Sequence, residues 1–129
     1  MSGLIKGVHH VSMKCENAEM YQKAIAFYRD VLELPVARDW GSGIMLDAGN
    51  SMIEIFDSGM TQDRTGSINH FAFAVTDTDA YVARVSEAGY AITVAPKDIV
   101  VPATPPYPAR IAFCVGPTGE EIEFFCEKK

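Results

Sequence analysis

The chain repeats itself, and that repeat limits what it can fold into. Shifted by sixty positions, HVSMKCENAEMY (10–21) falls on HFAFAVTDTDAY (70–81), so that His10 meets His70, Asn17 meets Asp77 and Tyr21 meets Tyr81. A second match lays AGNSMIEIF (48–56) on VGPTGEEIEFF (115–125) and sets Glu54 on Glu123, at an offset of sixty-nine. Self-similarity of this kind marks a duplicated structural unit, here with a longer insertion before the last hairpin of the second copy.

Each copy reads as βαβββ. The first has a strand at 7–15, a helix at 18–33 and strands at 36–40, 43–48 and 51–57. Tyr21, Ala24, Ile25, Tyr28, Val31 and Leu32 fall on one helical face, Asn17 is the expected N-cap, and Pro35 stands just past the end. The second has a strand at 69–76, a helix at 78–88 capped by Asp77 with Gly89 at its end, and strands at 90–95, 109–115 and 120–127. Five of the seven prolines fall in PKDIVVPATPPYP (96–108), which predicts a loop with at most a short extended piece at Ile99–Val101. The fold class is α+β: one domain over 1–129, with modules 1–57 and 68–129 joined by a polar linker, 58–67.

Composition removes several function classes. A net charge of −6 with no Lys/Arg cluster disfavours a nucleic-acid partner. No apolar run is long enough to span a bilayer, and MSGLIKG lacks the apolar stretch of a signal peptide, so a cytoplasmic location with no membrane partner is expected. Cys15, Cys114 and Cys126 are odd in number and lack C-x-x-C spacing, as befits reduced thiols, with Cys15 and Cys114 on apolar strand faces.

Strand alternation sorts the histidines. Val8, His10, Ser12 and Lys14 share one face of the first strand, and His9, Val11, Met13 and Cys15 the other. In the second copy His70, Ala72 and Ala74 oppose Asn69, Phe71, Phe73 and Val75. The bulkier face suits the helix, and the small or polar face, with His10 and His70, suits a cavity. His9 then lies on the helix side at the sheet margin, with a main-chain carbonyl as its expected partner. Glu54 sits between Met52 and Phe56 on its face, and Glu123 has Phe125 two residues away. A carboxylate among apolar neighbours costs several kcal/mol unless it is paired or metal-bound. Two imidazoles and two carboxylates can hold one divalent ion, Ni2+, Zn2+, Co2+, Mn2+ or Fe2+. In an octahedral field they leave two positions open, as a catalytic site requires.

These features resemble the vicinal oxygen chelate superfamily. The carriers are the duplicated βαβββ unit, AIAFYRDVLELPV (24–36), the two histidines opening matched strands and the two I-E-(I/F)-F strands. The His, Glu, His, Glu order is most similar to glyoxalase I (lactoylglutathione lyase). The resemblance implies two modules curled into an open barrel-like sheet around a metal site, with His10, Glu54, His70 and Glu123 as ligands. It implies one divalent metal, Ni2+ or Zn2+ first, and a homodimer. The implied activity is that of a lyase or isomerase acting on a 2-oxoaldehyde–thiol hemithioacetal through an enediolate. Glu123 is the implied base, with Glu54 on the other side, and Lys14 and Arg110 are the candidate anion holders. Glutathione-dependent members carry Arg and Asn where this chain has Lys14 and Ser58, which leaves the thiol open. Other readings are an epimerase, a thiol transferase, an Fe2+ dioxygenase, or a small-molecule-binding resistance protein without turnover.

Overall fold

Asn17 and Asp77 start the two helices as their types suggest. Asn17 Oδ1 accepts from the Met20 amide at 2.9 Å and Asp77 Oδ1 from the Ala80 amide at 3.1 Å, contacts worth about 1 kcal/mol each. The computed structural model describes residue 4, residues 7–60 and residues 68–128; of the expected linker, 61–67 lie outside the described residues. The chain divides into two compact units, 1–65 and 66–129.

In the first module the order is β1 (His10–Lys14), α1 (Ala18–Ile25), β2 (Val36–Asp39), β3 (Gly43–Asp47) and β4 (Met52–Phe56). The helix expected over 18–33 changes character after α1. Residues Ala26–Val31 form a wider π-helical segment, in which the Leu32 amide donates to the Phe27 carbonyl five residues back. The sheet order is β1-β4-β3-β2, with β1 parallel to β4 and the rest antiparallel. One sheet face carries buried Ile44, Leu46, Ile53 and Ile55, and Tyr21, Ala24, Ile25, Phe27, Tyr28 and Cys15 complete the core.

The second module repeats this with β5 (Phe71–Ala74), α2 (Thr78–Glu87), β6 (Ile92–Val101), β7 (Tyr107–Val115) and β8 (Glu121–Glu127), in the order β5-β8-β7-β6. Tyr81 of α2 and Phe73 both stack on buried Phe124. Each sheet is open, and neither closes into a barrel.

The proline-rich stretch corrects the expectation of a loop. β6 runs through Pro96 to Val101, pairing Ile99, Val100 and Val101 with Ala109, Pro108 and Tyr107. β6 is an edge strand, and its register shifts between Val94 and Lys97, where Pro96 stands. A proline is tolerated there because no ladder donor is required of it. The loop shrinks to 102–106.

The cysteines behave as expected. All three are free, with Cys15 and Cys114 buried. Burial pushes the Cys114 thiol up to about 12, away from thiolate reactivity.

Candidate functional site

Register, more than composition, fixes the candidate residues. In the parallel β1–β4 pair Ser12 lies opposite Glu54, and in the β5–β8 pair Ala72 lies opposite Glu123. Ser12 and Ala72 are sixty apart, as are His10 and His70, two residues before each. The two modules therefore present one histidine and one glutamate at the same place on the same kind of sheet face.

In the first module His10 Nε2 stands 3.5 Å from Glu54 Oε1, with side-chain exposures of 37% and 12%. In the second, His70 Nε2 stands 3.2 Å from Glu123 Oε1, at 33% and 12%. Each carboxylate is thus nearly enclosed and faces an imidazole edge. Glu54 has Met52 and Phe56 along its strand and Met45 across in β3. Glu123 has Phe113 across in β7, and the Phe113 ring meets His70 edge-on, centroids 5.0 Å apart. Apolar neighbours strip water from the carboxylates and raise the cost of leaving them charged and unpaired.

His9 departs from expectation. It is exposed, as a margin residue should be, but it meets a side chain where a carbonyl was expected. Its Nδ1 lies 2.9 Å from His10 Nδ1, the two rings meeting at 83°. In the second module Asn69 Oδ1 makes the equivalent contact, 2.8 Å from His70 Nδ1.

Lys14 closes the His10 face of β1. Its Nζ lies 5.9 Å from the centroid of Phe56, which is on the Glu54 face of β4. Trp40 meets Phe56 edge-on at 5.8 Å and lies against Gly43, where an added Cβ would come within 2.3 Å of the indole. Trp40 both packs and remains 46% exposed.

Arg110 does not join this group. In β7 it alternates with Phe113, so it points to the face opposite Glu123, toward α2. Its Nε and Nη2 donate to the Asp79 carboxylate at 2.6 and 3.1 Å, and its Nη1 donates to Asp98 at 3.1 Å. Lys128 also binds Asp98. Hydrogen bonds from Arg110 hold Asp79 below the ordinary carboxylate range; Lys128 first and Arg110 second do the same for Asp98. A guanidinium so engaged is a clamp between helix and sheet edge.

The donor chemistry fits a divalent ion. Cis ligands of an octahedron with bonds near 2.1 Å lie about 3 Å apart, close to the 3.2 Å and 3.5 Å observed. Within the described residues no group of three or more His, Cys, Asp or Glu is gathered. Each pair supplies one imidazole and one carboxylate.

Sequence reasoning passed over Met45, Phe113, Asn69 and the Trp40–Gly43 contact. Two of these were accessible from the hairpin turns. A turn at 48–51 puts residue 45 opposite 54, and one at 116–120 puts 113 opposite 123.

Residues 7–124 match the Glyoxalase/Bleomycin resistance protein/Dioxygenase superfamily, and the chain belongs to it. No curated protein matches. Among solved structures it is similar to a glyoxalase/dioxygenase from Nostoc punctiforme (TM-score 0.75, 16% identity, covering 100% of this chain and 96% of that one). It is also similar to a lactoylglutathione lyase from Agrobacterium tumefaciens (0.66, 18%, 95% and 94%). A third is the fosfomycin resistance protein FosX from Listeria monocytogenes (0.72, 17%, 97% and 96%). At these identities the likeness establishes the fold, and that fold carries more than one chemistry. Among the described residues, no helix is long and apolar enough to cross a membrane.

Proposed function

We propose that this protein is a metal-dependent, glyoxalase I-like enzyme that isomerises a 2-oxoaldehyde–thiol hemithioacetal. One observation carries the reading: an imidazole and an enclosed carboxylate face each other at the same register in both modules. In this reading His10, Glu54, His70 and Glu123 together hold one divalent ion, Ni2+ or Zn2+. The ion supplies Lewis acidity toward two adjacent substrate oxygens.

The chain's own residues do the rest. Glu123 removes the proton from the hydroxyl-bearing carbon and returns it to the neighbouring carbonyl carbon, while the hydroxyl proton passes to the adjacent oxygen, so the product is a 2-hydroxy thioester and no outside oxidant or reductant is required. Glu54, alike in environment, is the corresponding carboxylate of the first module. Met45, Met52, Phe56 and Phe113 keep water from the carboxylates. Lys14 offers one cation on the His10 face to a carboxylate of the thiol, without the bidentate fork of an arginine. The reading includes a cytoplasmic homodimer.

The test is to load the protein with Ni2+ or Zn2+ and follow isomerisation of the methylglyoxal–glutathione adduct by thioester absorbance. Turnover that falls by at least about a hundredfold in Glu123→Gln is expected. A fully metallated protein that turns over neither this adduct nor that of another thiol would overturn the proposal and favour epimerase, dioxygenase or binding roles.

A further inference from the structure

We infer that Arg38 is a specificity residue of the first module: together with Lys14 it cradles a carboxylate on the thiol-bearing part of the substrate. The inference rests on the reading of the His10–Glu54 face as a substrate surface. Its basis is sheet register. Glu54 lies opposite Met45 and Met45 opposite Arg38, so Arg38 shares the glutamate's face from the edge strand β2. A break in the ladder makes this so. Val36 lies opposite buried Leu46, and a regular ladder from there would set Arg38 against buried Ile44. The register shift between Val36 and Arg38 turns the guanidinium to the other face instead. Bulges of this kind re-aim side chains and gather beside functional sites.

Two cations then reach inward from opposite edges of the sheet. Arg38 Nη1 extends one strand inward, to 3.9 Å from Met45 Sδ. Lys14 Nζ extends one strand inward from β1, over the Phe56 ring. Its stem is seated against Gly59, where an added Cβ would come within 3.1 Å of Lys14 Cδ. Lys23, Arg29, Arg110 and Lys128 each pair with a carboxylate. Among the described residues, neither Arg38 nor Lys14 does. A thioether is a weak acceptor, so the contact with Met45 leaves the guanidinium's donors to a ligand. Its planar fork binds a carboxylate through two parallel hydrogen bonds, which Lys14 alone does not provide.

The second module repeats the histidine and the glutamate and drops both cations. Ala74 stands sixty residues after Lys14. Val94 holds the place of Arg38, opposite Phe113, which is itself opposite Glu123. The cations thus belong to one copy of a duplicated face, as suits a ligand charged at one end.

The test is a 15N–1H NMR titration of the metal-free protein with S-methylglutathione, a thioether that cannot be turned over. Arg38→Met keeps an apolar chain against Met45 at an exposed position and should fold as wild type does. The probe should shift amides of β2 and β3 in wild type. Its Kd should rise at least about tenfold in Arg38→Met and about threefold in Arg38→Lys, which keeps the charge and loses the fork. The dimethyl ester of the probe should bind wild type as weakly as the parent binds Arg38→Met. Equal Kd values in wild type and Arg38→Met, or no binding by wild type, would overturn the inference. Binding that depends on Arg38 in a protein that, fully metallated, isomerises no hemithioacetal would overturn the enzyme reading instead and leave this site standing.

Discussion

His70 Nε2 lies 3.2 Å from Glu123 Oε1 although fifty-three residues separate them in the chain. The fold makes this contact by laying β5 parallel to β8, and it makes the His10–Glu54 contact by laying β1 parallel to β4. Each contact sets a nearly enclosed carboxylate among apolar neighbours.

The glutamates should therefore weigh against stability in the metal-free protein. Glu54→Gln and Glu123→Gln keep side-chain volume and remove a poorly solvated charge. Both metal-free variants are expected to melt at or above the wild-type temperature by calorimetry. Zn2+ at about a hundred times its Kd should add about 2.7 kcal/mol to wild type, roughly 10 °C in Tm, and add little to either variant. A metal-free variant melting well below wild type would show the carboxylates to be structural.

Arg110 should matter to stability and not to substrate. Its hydrogen bonds, with those from Lys128, hold Asp79 and Asp98 below their ordinary value of 3.8. A depressed carboxylate stabilises the fold above the unfolded pKa, and that contribution is lost as pH falls through the folded value. Arg110→Gln should thus lower Tm at neutral pH, and the gap from wild type should close as pH falls through the lowered values of the two carboxylates. Calorimetric scans across pH check this, and an unchanged KM in the variant separates the clamp from the site.

Lys14 predicts the reverse. Its ammonium lies beside Phe56 on the His10 face. Lys14→Met should leave Tm within about 1 °C, since exposed charges contribute little to stability. It should raise KM for an anionic thiol adduct about tenfold, with kcat little changed. Steady-state kinetics at two ionic strengths would reveal the lost charge.

The sole tryptophan reports on the first module's face. Gly43 leaves room for the Trp40 indole, and a Cβ there would fall 2.3 Å from Trp40 Cζ2. Gly43→Ala should push the ring off Phe56 toward water, giving red-shifted emission and stronger iodide quenching. Unchanged emission would mean that the indole does not rest on the glycine in solution.

The duplication and the helix caps were legible because each follows from a period or a single local contact. Asn17, Asp77 and Gly89 act locally, and Ser12 and Ala72 fall at matching offsets. Less legible was whatever depends on register across strands. Arg110 sits near the last hairpin in sequence, yet strand parity sends it to the helix face. The stretch around Pro96 read as a loop because its neighbours in the sheet were unknown; at an edge, beside a register shift, the proline fits a strand. The His9 contact was hidden because strict alternation was applied one residue beyond the strand.

The central claim is that the two His–Glu pairs form one donor set, and metal stoichiometry tests it most directly. Elemental analysis of the Zn2+-loaded protein, after exhaustive dialysis, should give about one ion per 14.1 kDa chain and near zero in each of His10→Ala, Glu54→Gln, His70→Ala and Glu123→Gln. One ion retained when both His10 and Glu54 are replaced would contradict the account, because the second pair would then suffice alone.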